Sequence, residues 1–224
     1  MHFPKRSKVI RFSLGPSLLL TFLLSTIVKA EEVTWLELFD GRKLGDWVAT
    51  NFGGEGNVEI EAGRIVLGFG SDLTGITWKG ALPRIDYEVK LEARREDGND
   101  FFCGLTFPVN ESSCSLILGG WGGTVVGLSS IDGLDASENE TSRLMNFDHN
   151  RWYAIHLKVT RQRIEAWIDG NKIIDQELAG RKISIRPEVE LSRPLGVASW
   201  RTRAGLRKIA MRDIAAKTGA SARP

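Results

Sequence analysis

Beyond residue 58 apolar and polar side chains alternate in short runs broken by turn residues, and helical spacing is scarce. Val58–Glu61 and Arg64–Leu67 flank an Ala62-Gly63 turn, and Tyr87, Val89, Leu91 and Ala93 share one face of the run 86–93. Period-two patterning of this kind predicts half-buried strands. The same alternation puts Phe101, Cys103, Leu105 and Phe107 on one strand face and Cys114, Leu116 and Leu118 on the next. Trp152–Thr160 alternates again, and Arg163–Asp169 runs through Asp169-Gly170 into Lys172-Ile173-Ile174. Asp-Gly between two alternating runs predicts a hairpin, since glycine supplies the positive φ of a primed turn. Leu195–Trp200 and Leu206–Ile214 are the closing strands. Roughly a dozen strands with no helices between them predict an all-β sandwich of two antiparallel sheets.

The first thirty residues break this pattern. Lys5, Arg6, Lys8 and Arg11 precede an apolar run from Phe12 to Val28, and Val28-Lys29-Ala30 puts small residues at −3 and −1. That predicts a secretory signal peptide over 1–30, cleaved after Ala30, and a protein secreted or periplasmic. An uncleaved anchor is the other reading, but the run is short for a bilayer span. Residues 31–216 then form a single domain, and 217–224, small and polar, a tail without fixed structure.

Charge changes once the leader is set aside. Residues 1–30 hold five basic side chains and no acidic ones, leaving 25 basic and 28 acidic, a formal net charge of −3. The basic balance of the whole chain belongs to the leader, so nucleic acid is excluded as a partner. No membrane partner is expected after cleavage. Cys103 and Cys114 suit an oxidising compartment and face one apolar layer, so they form a disulfide or remain as two buried thiols.

Leu38-Phe39-Asp40-Gly41 with Trp47, the run Val58–Gly63, the Tyr87 strand followed by Gly98-Asn99, Trp152-Tyr153, and Ala166–Gly170 occur in order across residues 33–215. Together they resemble the 3-keto-disaccharide hydrolase domain family, which has the concanavalin A-like lectin and glucanase fold. The resemblance implies a jelly-roll sandwich whose concave sheet binds sugar, and hydrolysis of glycosides oxidised at the 3-position. Two places depart from the family pattern. Asn99-Asp100-Phe101 stands where the family has Asn-Ser-Gly, and Ser115–Trp121 has no carboxylate where the family has acids.

Glycoside hydrolysis uses paired carboxylates, whereas a 3-keto sugar can also break down by proton abstraction beside the ketone. The candidate catalytic carboxylates are Asp132, Glu138 and Glu140, in a long polar loop that also carries Asp135. The candidate substrate-binding residues are Asp97, Asn99, Asp100, Trp121, Arg143, Trp200 and Arg201. Trp121 lies among four glycines, and Trp200 beside Arg201 and Arg203; both suit the C–H face of a sugar ring. Trp47, Trp78, Trp152 and Trp167 read as core, and His156 as structural.

No cofactor is expected. The acids of 132–140 are ligands calcium accepts, but without the spacing of a calcium loop, and no His or Cys spacing suggests zinc. Asn139-Glu140-Thr141 is a glycosylation sequon. Carbohydrate is the expected partner. The function expected is glycoside hydrolysis, the alternatives being a lectin-like sugar-binding module and a cell-surface interaction module.

Overall fold

The computed structural model describes residues 34–215, besides Met1. The predicted leader, its cleavage point and the 217–224 tail lie outside the described residues. In chain order the strands are β1 (Leu36–Glu37), β2 (Trp47–Ala49), β3 (Val58–Glu61), β4 (Arg64–Leu67) and β5 (Leu73–Trp78). There follow β6 (Tyr87–Asp97), β7 (Cys103–Val109), β8 (Ser112–Gly120), β9 (Val125–Ser129) and β10 (Arg143–Leu144). The last are β11 (Tyr153–Val159), β12 (Arg163–Ile168), β13 (Asn171–Glu177), β14 (Gly196–Trp200) and β15 (Arg203–Asp213). A 3-10 turn of helix, Pro187–Ser192, interrupts the strands before β14.

These strands make the antiparallel two-sheet sandwich the alternation predicts. The larger sheet runs β13-β12-β11-β6-β15-β4-β3, with β1 also on β15; the smaller runs β10-β9-β8-β7-β14-β5-β2. One apolar cluster, drawn from the inner faces of both, fills the space between them. Within it Trp47 and Trp78 meet edge to face at 5.2 Å, and the Trp47 indole donates to the Leu38 carbonyl at 2.9 Å. Tyr87 is fully buried, and its hydroxyl donates to the Pro108 carbonyl at 2.6 Å. The Asp169-Gly170 hairpin forms as the sequence predicts. Ile168 pairs with Asn171 across it, and both turn residues have positive φ, 50° and 79°.

One alternative left open by the sequence is settled here, and two expectations are corrected. The Cys103–Cys114 disulfide does not form, and both thiols are free and buried. Across β7 and β8 Cys103 faces Leu118 while Cys114 faces Phe107. The thiols are thus offset by four residues, about 13 Å along a strand, beyond the roughly 7 Å between Cα atoms that a disulfide spans. Second, Trp152 and Trp167 are not core. They are half-buried on the outer face of the larger sheet, where Arg207 lies 4.0 Å from the Trp152 ring and His156 stacks on Trp167 at 4.7 Å. Third, Phe101 leaves the inward row, because the chain turns before β7 begins. Phe102 enters the core in its place, and Phe101 packs on the outer face of the smaller sheet.

Candidate functional site

That outer face is floored by small side chains. Thr106 and Ser115 are buried there and share a hydrogen bond of 2.8 Å, with buried Ser129 on the next strand. Glycines let covering segments lie directly on the strands. A Cβ on Gly127 would sit 2.8 Å from the Ala136 carbonyl oxygen, and one on Gly196 would sit 2.6 Å from that of Ser192. Contacts this close admit only glycine.

Where the cover stops, a cleft of about 250 Å³ opens over the floor, walled by Phe101, Trp121, Val189 and Trp200 and edged by Asp100, Arg186 and Glu188. Three segments build it. The turn from β6 to β7 brings Asp100, whose Oδ1 accepts from the Phe101 amide at 2.7 Å and Oδ2 from the Gly122 amide at 3.2 Å. Asp100 thereby ties its own turn to the glycine loop that presents Trp121. Trp121 is 43 % exposed, and its φ of 48° is left-handed. Such a backbone costs on the order of 1–3 kcal/mol in a non-glycine residue and persists only where its surroundings enforce it. At the end of β14 the Trp200 amide donates to the Phe101 carbonyl at 3.0 Å, and the two rings lie 6.4 Å apart. Arg201, next in the chain, is again left-handed at φ 42° and is held by Asp72 and by the Ser71 carbonyl.

The third segment comes from far along the chain. Ser130 and Ser184 exchange backbone bonds of 2.7 and 3.1 Å, docking 183–192 onto the loop after β9. Arg186 then reaches Asp135 and Glu188, both at 2.8 Å. Its hydrogen bond holds the Glu188 carboxyl below the ordinary glutamate value, so Glu188 is ionised at neutral pH.

Beneath the glycine loop lies Arg95. It is 5 % exposed, and its guanidinium donates to the carbonyls of Gly119 and Gly123, at 3.2 and 3.0 Å, and of Phe147 at 3.5 Å. Burial lowers its pKa from the ordinary arginine value, against the nearby Asp100 charge.

Of the residues predicted from sequence, Asp100, Trp121 and Trp200 meet in this cleft, and Arg201 buttresses its edge. Asp97 and Asn99 are exposed on the same turn as Asp100, and Asp97 bonds the Gly98 amide. Asp132, Glu138 and Glu140 do not line the cleft. Asp132 and Glu140 share Arg181, and Glu138 is exposed. Arg143 is exposed and caps the carbonyls of Glu140 and Ser142. Asn139, the sequon residue, is buried, and its amide donates to three carbonyls, which leaves it no freedom to carry a glycan. Among the described residues no three His, Cys, Asp or Glu side chains gather as metal ligands would.

Sequence reasoning missed Phe101, Arg186 and Glu188. Only Arg186-Pro187-Glu188, a charged pair bracketing a proline before β14, marked the latter two.

The family described as 3-keto-alpha-glucoside-1,2-lyase-like domain matches residues 34–215. No curated protein matches the chain in sequence. Among solved structures, the Crh5 transglycosylase in complex with NAG has a TM-score of 0.55 at 10% identity, over 80% or more of both chains, 83% of this one and 85% of that one. The carbohydrate-binding module CBM66 from Bacillus subtilis has 0.51 at 15% identity, over 75% of this chain and 96% of that one. A candidate glycosyl hydrolase from Parabacteroides distasonis has 0.50 at 13% identity, over 80% and 93%. These likenesses establish the sandwich fold.

Proposed function

We propose, since this chain belongs to the family of 3-keto-alpha-glucoside-1,2-lyase-like domains, that its cleft binds and cleaves glycosides oxidised at the 3-position. The carrying observation is the meeting of Trp121 and Trp200 in one cleft with Arg186 and Glu188 at its edge. Indole faces suit the C–H faces of a sugar ring, and the polar rim suits its hydroxyls.

The charges favour a base-first route. A ketone at C3 acidifies the proton at C2. Glu188, held ionised, is a base that can take that proton, and the electrons left behind form an enolate whose oxygen the Arg186 guanidinium stabilises. Return of those electrons makes the C1–C2 double bond and expels the C1 substituent, which leaves as the alcohol after taking up a proton. The leader pattern supports action outside the cytoplasm.

The test is turnover of 3-keto-glucosides by the purified protein, recovered from the exported fraction and beginning at Glu31. Glu188→Gln lowers kcat by about 100-fold or more, Trp121→Ala weakens binding, and Asp132→Asn changes neither. Full activity in Glu188→Gln would remove the base assignment. A second reading, a binding module without catalysis, is favoured by one observation: Arg186 is already shared by Asp135 and Glu188. Trp121-dependent binding of 3-keto-glucosides with no release of aglycone establishes that reading instead.

A further inference from the structure

We propose that Asp135 is a positioning residue: from the loop after β9 it fixes the Arg186 guanidinium at the edge of the cleft, where Arg186 serves Glu188 and a bound ligand at once. The proposal rests on the cleft reading above and adds to it the device that holds the charged edge in place. Arg186 and Glu188 are two residues apart, and their double bond, Nε to Oε2 at 3.3 Å and Nη2 to Oε1 at 2.8 Å, is local to the strap 183–192. A local pair travels with its own segment and does not fix where that segment sits. The third bond, from Nη1 to Asp135 Oδ2 at 2.8 Å, joins residues 51 apart in the chain and ties the pair to another loop.

Asp135 is itself held. Its Oδ1 accepts from the Ser137 amide at 3.0 Å and the Ser137 hydroxyl at 2.7 Å, its backbone carbonyl accepts from the Asn139 side-chain amide at 2.7 Å, and its side chain is only 15 % exposed. An arginine fork carries five N–H groups. One is engaged on Asp135 and two on Glu188, and the rest have no partner among the described residues, which leaves them for a ligand oxygen. Arg181, five residues before Arg186, is clamped by Asp132 and Glu140, but that clamp does not line the cleft.

The charges around Glu188 give this role a readout. Glu188 is faced by Arg186 from its own strap, by Asp100 from the β6–β7 turn, and by Asp72, paired with Arg201, in an adjoining hollow; Asp135 stands behind Arg186. Removing the Asp135 charge leaves the guanidinium to Glu188 alone, which then binds its proton less readily.

The experiment titrates the Glu188 carboxyl by carbon-13 NMR, with Glu188→Gln to assign the signal, and follows the pH profile of 3-keto-glucoside turnover beside it. The proteins are the wild type, Asp135→Asn, Asp135→Glu and Asp132→Asn. In Asp135→Asn the Glu188 titration and the acid limb of kcat/KM move to lower pH together, and kcat falls about tenfold with KM within about twofold, as expected when a reacting group is displaced rather than removed. Asp135→Glu, which keeps the charge, returns the titration towards its wild-type position, and Asp132→Asn moves neither. Asparagine keeps an acceptor for the Ser137 amide, so the loop retains its turn. A Glu188 titration unchanged in Asp135→Asn, or moved equally by Asp132→Asn, overturns the role of Asp135. Absence of turnover in every protein, the wild type included, overturns the cleavage reading alone, because the titration needs no substrate and still decides Asp135.

Discussion

Arg95 shows how much one side chain can organise. The inward row Tyr87, Val89, Leu91, Ala93 continues by one more step to position 95, so the strand's own alternation drives an arginine inside. There it bonds the carbonyls on either side of Trp121 in the chain, those of Gly119 and Gly123. Replacing it with methionine leaves these buried oxygens without donors, at a cost of about 2 to 4 kcal/mol. Urea unfolding measures that cost. Arg95→Lys recovers only part of it, because an ammonium lacks the planar fork. Ligand affinity at a temperature where both variants are folded should fall more in the methionine variant. A loss of stability under about 1 kcal/mol, equal in the two variants, contradicts this role.

Among the elements, the outer face of the larger sheet is a lattice of ion pairs. Glu96 is met by Arg64, Arg94 and Arg203, and Glu92 by Arg207 and Lys208. Burial alone would raise both carboxyls. Hydrogen bonds from Arg94 and Arg64 to Glu96, and from Lys208 and Arg207 to Glu92, outweigh it and hold both below the ordinary glutamate value. A carboxyl depressed on folding stabilises fully above its unfolded pKa, about 4.3, and that stability is lost as pH falls through the lower folded value. Urea midpoints measured from pH 6 to 3 should therefore fall in acid. Glu96→Gln should lower the midpoint at pH 6 by the equivalent of about 2 kcal/mol and flatten its fall. An unchanged pH slope would rule out Glu96 as a source of it.

This face also shows where sequence was legible and where it misled. Strands were plain because Ile164, Ala166 and Ile168 share one parity, and that same parity puts Trp167 outward with Arg163 and Glu165. Reading Trp167 as core gave the size of indole precedence over its phase. The ring is apolar enough to need cover, and Lys172 and His156 provide it.

For the whole molecule, local signals gave half the site. Trp121 stood out as an aromatic among glycines, Trp200 as one at a strand end beside two arginines, and Asp100 as an acid in a loop. Arg186 and Glu188 were missed because their place depends on the Ser130–Ser184 pairing, a contact between distant segments with no periodic trace. The register of β7 on β8 was hidden likewise, and with it the separation of the cysteines. Burial pushes both thiols up to about 12. A thiol reagent at pH 8 should modify neither in the native protein and both in denaturant. Rapid native labelling of either one contradicts their place in the core.

Gly127 and Gly196 have a bearing beyond this chain. They are footprints, marking where the cover treads on the sheet. A related domain with bulkier residues at these two positions must hang its loops elsewhere, however well its strands superimpose. The pair is thus a signature by which relatives that share this cleft can be sorted from those that share only the scaffold.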